Sequence, residues 1–373
     1  MTGELLRLAH VTSERGFSGG EVQVFLLMEG LRARGHENLL VCPPGSRAER
    51  AARAHGFAVE CVEMRNDLSV LAAYRISAAL RRHAPALVHC HTGRSNWLGG
   101  VAARSAGVPA LSTRRMDRRV SRGLRTRWLY GHLLQRVAAI SPAVARRLRD
   151  AGVASERIRV IWSAVDPAAL APSAPRAAVR AKLGGAPEMP CLLVAANLVH
   201  RKGVDVLLTA AAALAPRARY ALWIAGDGPE RGALEAAAAR LGIGERVRFL
   251  GQRGDVPDLL EACDVCVLPS RREGLGVAAL EAMARGRPVV ASAVGGLAEI
   301  VVAEETGLLV PPGDAAALAA ALERLIGDRA LALRLGAAGA KRVAEHFVAD
   351  AMVSAYEQLY REILAERGAE GAP

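Results

Sequence analysis

Short apolar runs that alternate with helical periodicity constrain the fold of this chain more than any other feature. Thirteen runs have the length and composition of buried strands. Windows with apolar residues at every third or fourth position separate these runs. Strands joined by helices form parallel sheets with right-handed crossovers. Because 373 residues are too many for one typical core, the pattern predicts two doubly wound α/β domains.

The predicted strands form two groups, one in each half of the chain. Those of the first half are residues 5–11, 38–42, 58–62, 86–91, 110–113, 137–141 and 157–162. Those of the second half are residues 191–196, 220–225, 247–250, 265–269, 288–291 and 307–310. We predict Rossmann-like domains over residues 1–168 and 169–350, followed by a helix within residues 351–373. Residues 166–190, rich in Ala and Pro, are typical of a linker.

The composition excludes several classes of protein. No apolar run reaches about 18 residues, so we expect no membrane-spanning helix. The first residues lack the basic region, long apolar stretch and cleavage site of a secretion signal, which indicates a cytoplasmic protein. The six cysteines lie mostly in strand patterns, where Cys acts as a small buried hydrophobe. Cys263 and Cys266 have the spacing of a zinc or redox pair, but no second pair accompanies them, and we predict structural cysteines.

The positive charge is concentrated in the first half. Residues 1–170 hold 26 Arg and 13 acidic residues, a net charge of +13, and the remaining residues hold 23 basic and 24 acidic ones. Seven Arg lie between Arg114 and Arg127 with one acid among them. We hypothesise that this segment meets an anionic membrane surface or an acidic acceptor; the alternative is a solvated face in a chain biased toward Arg. The aromatic and basic interleaving of nucleic-acid-binding surfaces is missing, so we expect no nucleic-acid partner.

Two acids follow the strand pattern at residues 265–269. Glu273 is predicted in the strand-to-helix loop, at the carboxyl edge of a sheet, where ligands of open α/β folds bind. Glu281 is predicted on the first turns of the next helix, near its positive end. Two carboxylates at such places suit hydrogen bonds from hydroxyls better than phosphate binding.

A basic pair follows the strand pattern at residues 191–196. Arg201 and Lys202 precede Gly203, which opens the next predicted helix. A guanidinium binds phosphate oxygens through its fork, and an ammonium binds them as a point charge. Lys202 is one of only three Lys in the chain, which favours a specific role.

Taken together, these residues resemble the retaining glycosyltransferases of family 4. The residues that carry the resemblance are Asn197, Arg201, Lys202, Glu273, Gly274, Gly276 and Glu281. It implies the GT-B fold, in which two Rossmann-like domains face each other across a cleft, the first binding the acceptor and the second the nucleotide-sugar donor. It also implies that the last helix crosses back to the first domain. The reaction implied is sugar transfer from a UDP- or GDP-linked donor to an acceptor hydroxyl, with retention.

The resemblance also implies roles for individual residues. Glu273 would hydrogen-bond the donor sugar, and Arg201 and Lys202 would hold the diphosphate. The backbone amides from Gly274 through Leu275 to Gly276 would face the sugar. The remaining donor-binding roles fall to Glu281 for the ribose, Arg253 near the base, Asn197, and Gly19 and Gly20, which follow Ser18 at the start of the first helix.

In the first domain the resemblance assigns a catalytic role to His91, the second His of His89-Cys-His91. Acceptor-binding roles fall to Arg94 and Asn96 and to Arg114 and Arg115. No Asp-x-Asp of the kind that holds a divalent ion in other glycosyltransferases occurs in the chain, so we expect no metal and no cofactor. A zinc site at the His pair would need further ligands, and none is evident from spacing.

The acceptor predicted is a sugar, glycolipid or polysaccharide used in bacterial cell-envelope assembly, at the inner face of the cytoplasmic membrane. A sugar-nucleotide epimerase shares the fold and is the first alternative. A basic protein that binds nucleic acid or a membrane surface is an alternative of a different class. The sequence leaves the sugar, the base and the acceptor open.

Overall fold

The computed structural model describes residues 4–16, 19–184, 186 and 188–370. Two compact units divide these residues. The first unit takes the chain up to Ala164 and again from Ala349, and the second is Val165–Val348.

The first unit is built on a parallel sheet with strand order β3-β2-β1-β4-β5-β6-β7. Its strands are β1 (Arg7–Val11), β2 (Glu37–Cys42), β3 (Ala58–Cys61), β4 (Leu87–Cys90), β5 (Ala110–Arg114), β6 (Arg136–Ala139) and β7 (Ile158–Val160). Its helices are α1 (Gly19–Ala33), α2 (Arg47–Ala54), α3 (Val70–His83), α4 (Gly93–Ala106), α5 (Leu124–Trp128) and α6 (Pro142–Asp150).

The second unit is built on a parallel sheet with strand order β10-β9-β8-β11-β12-β13. Its strands are β8 (Cys191–Ala195), β9 (Ala221–Ala225), β10 (Val247–Gly251), β11 (Val265–Leu268), β12 (Val289–Ser292) and β13 (Leu308–Val310). Its helices are α7 (Arg176–Lys182), α8 (Val204–Leu214), α9 (Arg231–Arg240), α10 (Val256–Ala262), α11 (Val277–Ala284), α12 (Leu297–Ile300), α13 (Ala315–Gly327) and α14 (Arg329–His346).

The last helix, α15 (Ala349–Glu370), completes the core of the first unit. Its Val353, Tyr356 and Tyr360 are buried in one cluster with Leu27 of α1. The packing is close, since a Cβ at Gly30 would lie 2.3 Å from Val353. A helix from the far end of the chain therefore covers one face of the first sheet.

The predicted strands are confirmed in the described residues: each matches an observed strand to within two residues at either end. The linker prediction is corrected, because α7 lies inside residues 166–190 and packs on α10. Arg180 of α7 is buried and forms an ion pair with Asp264, whose carboxylate also accepts from the Cys191 amide at 2.7 Å. These contacts fix a segment that composition alone marks as loose.

Two further expectations concern cysteines and membrane helices. Cys263 and Cys266 are both buried and unpaired with another cysteine. Burial raises the pKa of the Cys263 thiol to about 12, which makes it a poor nucleophile. None of the helices in the described chain has the length and apolar character needed to cross a bilayer.

Candidate active site

The predicted donor residues of the second unit lie on two loops at one sheet edge. β8 and β11 are neighbouring parallel strands, so the loops after them leave the same edge side by side. The loop after β8 contains a 3-10 turn, His200–Lys202. The loop after β11 carries Glu273 and ends at Gly276, where α11 begins. This edge brings together residues that are about seventy positions apart in the chain.

The centre of the site is an ion pair between these loops. Lys202 Nζ lies 2.5 Å from Glu273 Oε2, and Arg201 Nη1 lies 3.8 Å from Glu273 Oε1. The Ser270 hydroxyl donates to Glu273 Oε2 at 3.2 Å. The Arg201 side chain is 46% exposed, whereas those of Lys202 and Glu273 are 16% and 11% exposed. The carboxylate is thus held in place, and the guanidinium is left accessible to an anion.

A second ion pair, which the sequence reasoning missed, locks the same two loops together. Arg271 forms a bidentate pair with Asp205, with both N···O distances 2.6 Å. The Arg271 amide also donates to the Arg201 carbonyl at 2.8 Å. The hydrogen bond from Arg271 lowers the pKa of Asp205. The only sequence signal for this pair is the position of opposite charges beside Lys202 and Glu273 in two loops predicted to be neighbours.

Two glycines permit the close approach of these loops. Gly203 has φ +66°, and a Cβ there would lie 2.0 Å from the Pro269 carbonyl oxygen. Gly276 has φ +98°, and a Cβ there would meet Leu297 at 2.4 Å. Both positions combine a left-handed backbone with contact to a neighbour, so they require glycine.

Glu281 presents an unusual carboxylate. It lies on α11, and burial raises its pKa from 4.5 to about 7. Within the described part of the chain no hydrogen bond to its carboxylate is formed, and desolvation alone shifts the pKa. Glu281 is half-buried by solvent exposure, and a desolvated carboxylate without protein donors is costly to ionise unless a ligand supplies the donors.

The other residues predicted to bind the donor differ in burial and in hydrogen-bond partners. Asn197 is exposed just beyond β8. Arg253 donates to Asp255 at 2.8 and 2.5 Å, so its guanidinium is already paired within its own loop. Leu275 is buried, and Gly274 lies against Gly296, where a Cβ would be 2.5 Å from the Gly274 carbonyl oxygen. The donor roles of these residues stay predictions.

A buried histidine network lies at the carboxyl edge of the first sheet. His10 Nδ1 is 3.0 Å from His91 Nε2, and His10 Nε2 is 3.0 Å from Asn38 Oδ1. Asn38 Nδ2 donates to the carbonyls of Met28 and His36, which leaves Oδ1 as the acceptor for His10. His10 therefore carries its proton on Nε2, and its Nδ1 accepts a hydrogen bond from the N–H at His91 Nε2.

The hydrogen-bond partners also determine whether Nδ1 of His91 carries a proton. Burial lowers the pKa of His10 to about 4 and holds the pKa of His91 well below its usual range, so both rings are neutral. With its proton on Nε2, His91 has a lone pair on Nδ1. Arg115 Nη1 and Nη2 both lie 3.3 Å from that atom, and Nη1 is also 3.3 Å from the His91 carbonyl. Both ring nitrogens of His91 are thus engaged within the protein, and its catalytic role stays a prediction.

His89 connects the network to the last helix. Its Nδ1 is 2.8 Å from the Tyr360 hydroxyl and its Nε2 is 2.7 Å from the Thr113 hydroxyl, which in turn is 2.7 Å from the Tyr356 hydroxyl. The three histidines are close enough to hold one metal ion. However, every one of their ring nitrogens already has a hydrogen-bond partner, so an ion would have to displace protein contacts.

Three of the predicted acceptor residues are half-buried arginines, and the fourth, Asn96, is buried. Arg94, in the first turn of α4, donates to the Met64 carbonyl at 2.9 Å and lies 3.6 Å from Asp67. Asn96 is buried, so its side chain does not reach an open surface. Arg114 donates to the Arg118 carbonyl at 2.6 Å.

Arg115 is half-buried. Burial lowers its pKa, and its guanidinium forms no ion pair with a carboxylate among the described residues. Gly19 and Gly20 begin α1 at the same sheet edge, and Ser18 lies outside the described residues. The acceptor roles of these residues stay predictions.

Comparisons with known proteins agree with this architecture. Residues 17–169 match the family described as Glycosyltransferase Family 4, and residues 175–342 match Glycosyl transferases group 1. The chain is 35% identical to the lipopolysaccharide core biosynthesis glycosyltransferase LpsE of Rhizobium meliloti (strain 1021) over 63% of this chain and 66% of that protein. It is 34% identical to the 2-deoxystreptamine glucosyltransferase of Streptomyces kanamyceticus over 76% of this chain and 79% of that protein.

A solved structure shows the same fold. The Anabaena protein HepE, solved in complex with UDP and glucose, superposes with a TM-score of 0.85 at 23% identity, covering 96% of this chain and all of that one. Two parallel Rossmann-like units and these matches define a glycosyltransferase of the GT-B class. The chain belongs to glycosyltransferase family 4.

Proposed function

We propose that this enzyme transfers a sugar from a nucleotide diphosphate sugar to an acceptor hydroxyl with retention of the anomeric configuration. The observation that carries the proposal is the pair formed by Lys202 and Glu273 at the carboxyl ends of two adjacent strands. This pair supports the proposal because an ammonium suited to phosphate and a carboxylate suited to sugar hydroxyls lie within one hydrogen-bond length.

Each part of the donor is matched to a side chain of suitable charge or hydrogen-bonding character. Arg201, with its exposed guanidinium, and Lys202 bind the diphosphate. Glu273 accepts hydrogen bonds from the sugar through Oε1, since Oε2 is engaged by Lys202 and Ser270. Glu281 accepts hydrogen bonds from the ribose hydroxyls, which supply the donors that its half-buried carboxylate lacks among the described residues. The amides at the start of α11 face the sugar.

The proposed reaction is a displacement on one face of the sugar. The bond between the anomeric carbon and the diphosphate oxygen breaks, and the acceptor oxygen bonds to the same carbon. The departing phosphate takes the acceptor proton. Glu273 is an unsuitable covalent nucleophile because its carboxylate is held by a cation. Arg201 and Lys202 stabilise the charge that grows on the phosphate, and such electrostatic stabilisation usually contributes most to catalysis.

We further propose that the charge on the diphosphate is balanced by protein cations without a metal ion. The chain has no Asp-x-Asp, and Lys202 already occupies the position beside Glu273. A divalent ion at this place would meet two cationic side chains. Chelation of divalent ions therefore serves as a direct test of this part of the proposal.

For the nucleotide we favour UDP, because the structurally similar HepE was solved with UDP. For the acceptor we favour a cell-envelope glycan or glycolipid, because a relative is named for lipopolysaccharide core biosynthesis. Another relative is named as a 2-deoxystreptamine glucosyltransferase, so acceptor size is part of the test. The Arg-rich segment 114–127 supports action at an anionic membrane surface, where a lipid-linked acceptor would lie.

Thermal shift tests the donor first, since a ligand that binds only the folded state raises the apparent stability. UDP should raise the melting temperature more than GDP, and Glu281→Ala should reduce the shift. The matched control is Glu305→Ala, an exposed acid of the same unit outside the proposed site. NMR of the product then reports anomeric configuration. Formation of a changed sugar nucleotide without an acceptor would indicate an epimerase, and an inverted anomer would contradict retention.

A further inference from the structure

Exposed apolar side chains collect at one edge of the first unit. Leu68 and Leu124 are each 83% exposed, and Trp128 is 44% exposed. These three residues, here called the apolar patch, line a common cavity of about 630 Å³. Val70 and Leu71, also exposed, continue the patch along the chain. Large exposed apolar surfaces on folded proteins mark interaction sites.

Specific side-chain contacts hold together the segments that carry the apolar patch. The Trp128 ring stacks on Trp97, with ring centroids 5.5 Å apart and planes at 19°. The Arg125 guanidinium lies over Trp97 at 4.5 Å from the ring centroid and pairs with Asp67 at 2.5 Å. These contacts fix the loop before α3, the first turns of α4 and helix α5 against one another. The apolar side chains are therefore carried by three segments that contact one another.

Arg125 and Arg127 line the same cavity as the patch, and the acids of the segments that carry it are already paired. Asp67 pairs with Arg125, and Asp117 pairs with Arg147 at 2.7 Å. Arg119 and Arg127 are exposed, and among the described residues no carboxylate forms an ion pair with either. The apolar patch, with its stacked pair of Trp rings, therefore lies in a positively charged segment; Arg119 and Arg127 are here called the arginine rim. This combination fits the interface of an anionic bilayer, where apolar and Trp side chains insert and cations meet the head groups.

The position of the patch links it to the acceptor side. The segments that carry it follow β3, β4 and β5, so they lie at the carboxyl edge of the first sheet, as does Arg115. Asp67 contacts both Arg125 of the patch and Arg94 of a neighbouring polar cavity of about 690 Å³. A surface resting on lipid here would hold that cavity beside the head groups.

We infer that the apolar patch and its arginine rim dock the first unit on an anionic membrane and present the acceptor side to lipid-linked substrates. The inference rests on the proposed function for the identity of the acceptor, but docking itself is measurable without any turnover. A second copy of this chain or a protein partner on the same patch would give different results in the experiment below.

Vesicle sedimentation tests the docking. The full-length protein should bind vesicles of phosphatidylcholine with added phosphatidylglycerol, and bind weakly to phosphatidylcholine alone. Leu68→Ser combined with Leu124→Ser should weaken binding about tenfold or more. Arg119→Gln combined with Arg127→Gln should do the same and remove most of the salt dependence, since each cation near anionic lipid is worth about fivefold in affinity.

Matched controls lie elsewhere on the protein. Leu5→Ser replaces an exposed Leu before β1, at the opposite edge of the same sheet, and Arg104→Gln replaces an exposed Arg in the last turn of α4. Neither should change vesicle binding more than about twofold. Trp128 fluorescence, compared with Trp128→Phe, should shift to shorter wavelength on anionic vesicles, because insertion removes water from the ring.

The inference would be overturned if the protein did not bind anionic vesicles at low salt. It would also be overturned if the control variants lost as much vesicle binding as the patch variants. A dimer in sedimentation equilibrium that the double Leu variant dissolves would assign the patch to self-association instead. The UDP-induced thermal shift should stay the same in the double Leu variant. Loss of docking with an intact nucleotide response would separate this inference from the proposed transferase function.

Discussion

Lys202 and Glu273 form a direct ion pair of 2.5 Å between two loops that follow neighbouring strands. The pair joins the residue proposed for phosphate to the residue proposed for the sugar. Because the side chains are largely buried, their interaction is screened less than that of a surface pair. Substituting either residue therefore leaves the other without its charged partner.

Glu273→Gln should lower turnover by at least about a hundredfold, the scale of losing one strong transition-state contact. The amide keeps the size of the side chain but cannot form the ion pair with Lys202. Steady-state kinetics with a soluble donor measures the change, and Glu305→Gln is the matched control. Normal turnover in Glu273→Gln would remove this residue from the mechanism.

Lys202→Ala should raise the barrier by roughly 2–4 kcal/mol, because a charge-assisted contact to the departing phosphate is lost. Magnesium should not restore the activity of the variant, and EDTA should leave the wild-type rate nearly unchanged. Lys202→Arg should be only partly active, since a planar fork places charge differently from an ammonium. Wild-type activity that disappears with EDTA and returns with magnesium would contradict metal independence.

Glu281 predicts a pH dependence with a definite sign. Its folded pKa of about 7 lies above the ordinary 4.5, so the folded state holds a proton that the unfolded state releases between these values. The stabilisation is complete below about pH 4.5 and is lost as the pH rises through 7, a change of about 3 kcal/mol in the free energy of unfolding. Glu281→Gln should flatten this part of the profile.

Nucleotide binding should show the opposite trend at the same residue. Ribose hydroxyls donate to an ionised carboxylate, so UDP affinity should increase as the pH rises from about 6 to about 8. Calorimetric titration of wild type and Glu281→Gln across this range measures it. A UDP affinity that does not change with pH in the wild type would disconnect Glu281 from the nucleotide.

Gly203→Ala should unfold or displace the loop that carries Lys202. Its Cβ would lie 2.0 Å from the Pro269 carbonyl oxygen, and alanine is strained at φ +66°. We expect a lower melting temperature and a loss of nucleotide binding. Gly242→Ala is the matched control for backbone strain, with φ +70° and no atom within 4 Å of the added Cβ. Similar effects in the two variants would show that strain alone, rather than the loop contact, matters.

The sequence predicts the strands well and the contacts between loops poorly. Runs such as residues 191–196 and 265–269 are apolar throughout, and burial on both faces of a parallel sheet leaves few other structures for them. Resemblance to a family brings Lys202 and Glu273 into one site, but their direct pairing depends on side-chain geometry. The Arg271–Asp205 pair has no periodicity or motif to reveal it.

The histidine network is another set of contacts that the sequence predicts only in part. His89 and His91 are recognisable from their alternation on one strand, but His10 is a lone residue in β1. Only the pairing of β1 with β4 brings it alongside His89. The tautomer of His91 then depends on Asn38 of β2, which is distant in the chain, through hydrogen bonds that no local pattern encodes.

His10→Leu should release His91 from its fixed tautomer. The substitution leaves the proton on His91 Nε2 and the oxygen Asn38 Oδ1 without partners, at a cost of about 1–3 kcal/mol each. Nitrogen NMR of labelled histidine distinguishes protonated from unprotonated ring nitrogens. In the wild type His91 should carry its proton on Nε2, with Nδ1 unprotonated toward Arg115.

The variant should show a mixture of tautomers at His91 and a lower melting temperature, and the acceptor KM should rise as Arg115 loses a fixed hydrogen-bond acceptor. His55→Leu, which removes an exposed ring that pairs with Glu29 at 2.7 Å, is the control and should leave the His91 signals unchanged. A proton on Nδ1 of His91 in the wild type would refute the derived hydrogen-bond directions, since that nitrogen could then no longer accept from Arg115.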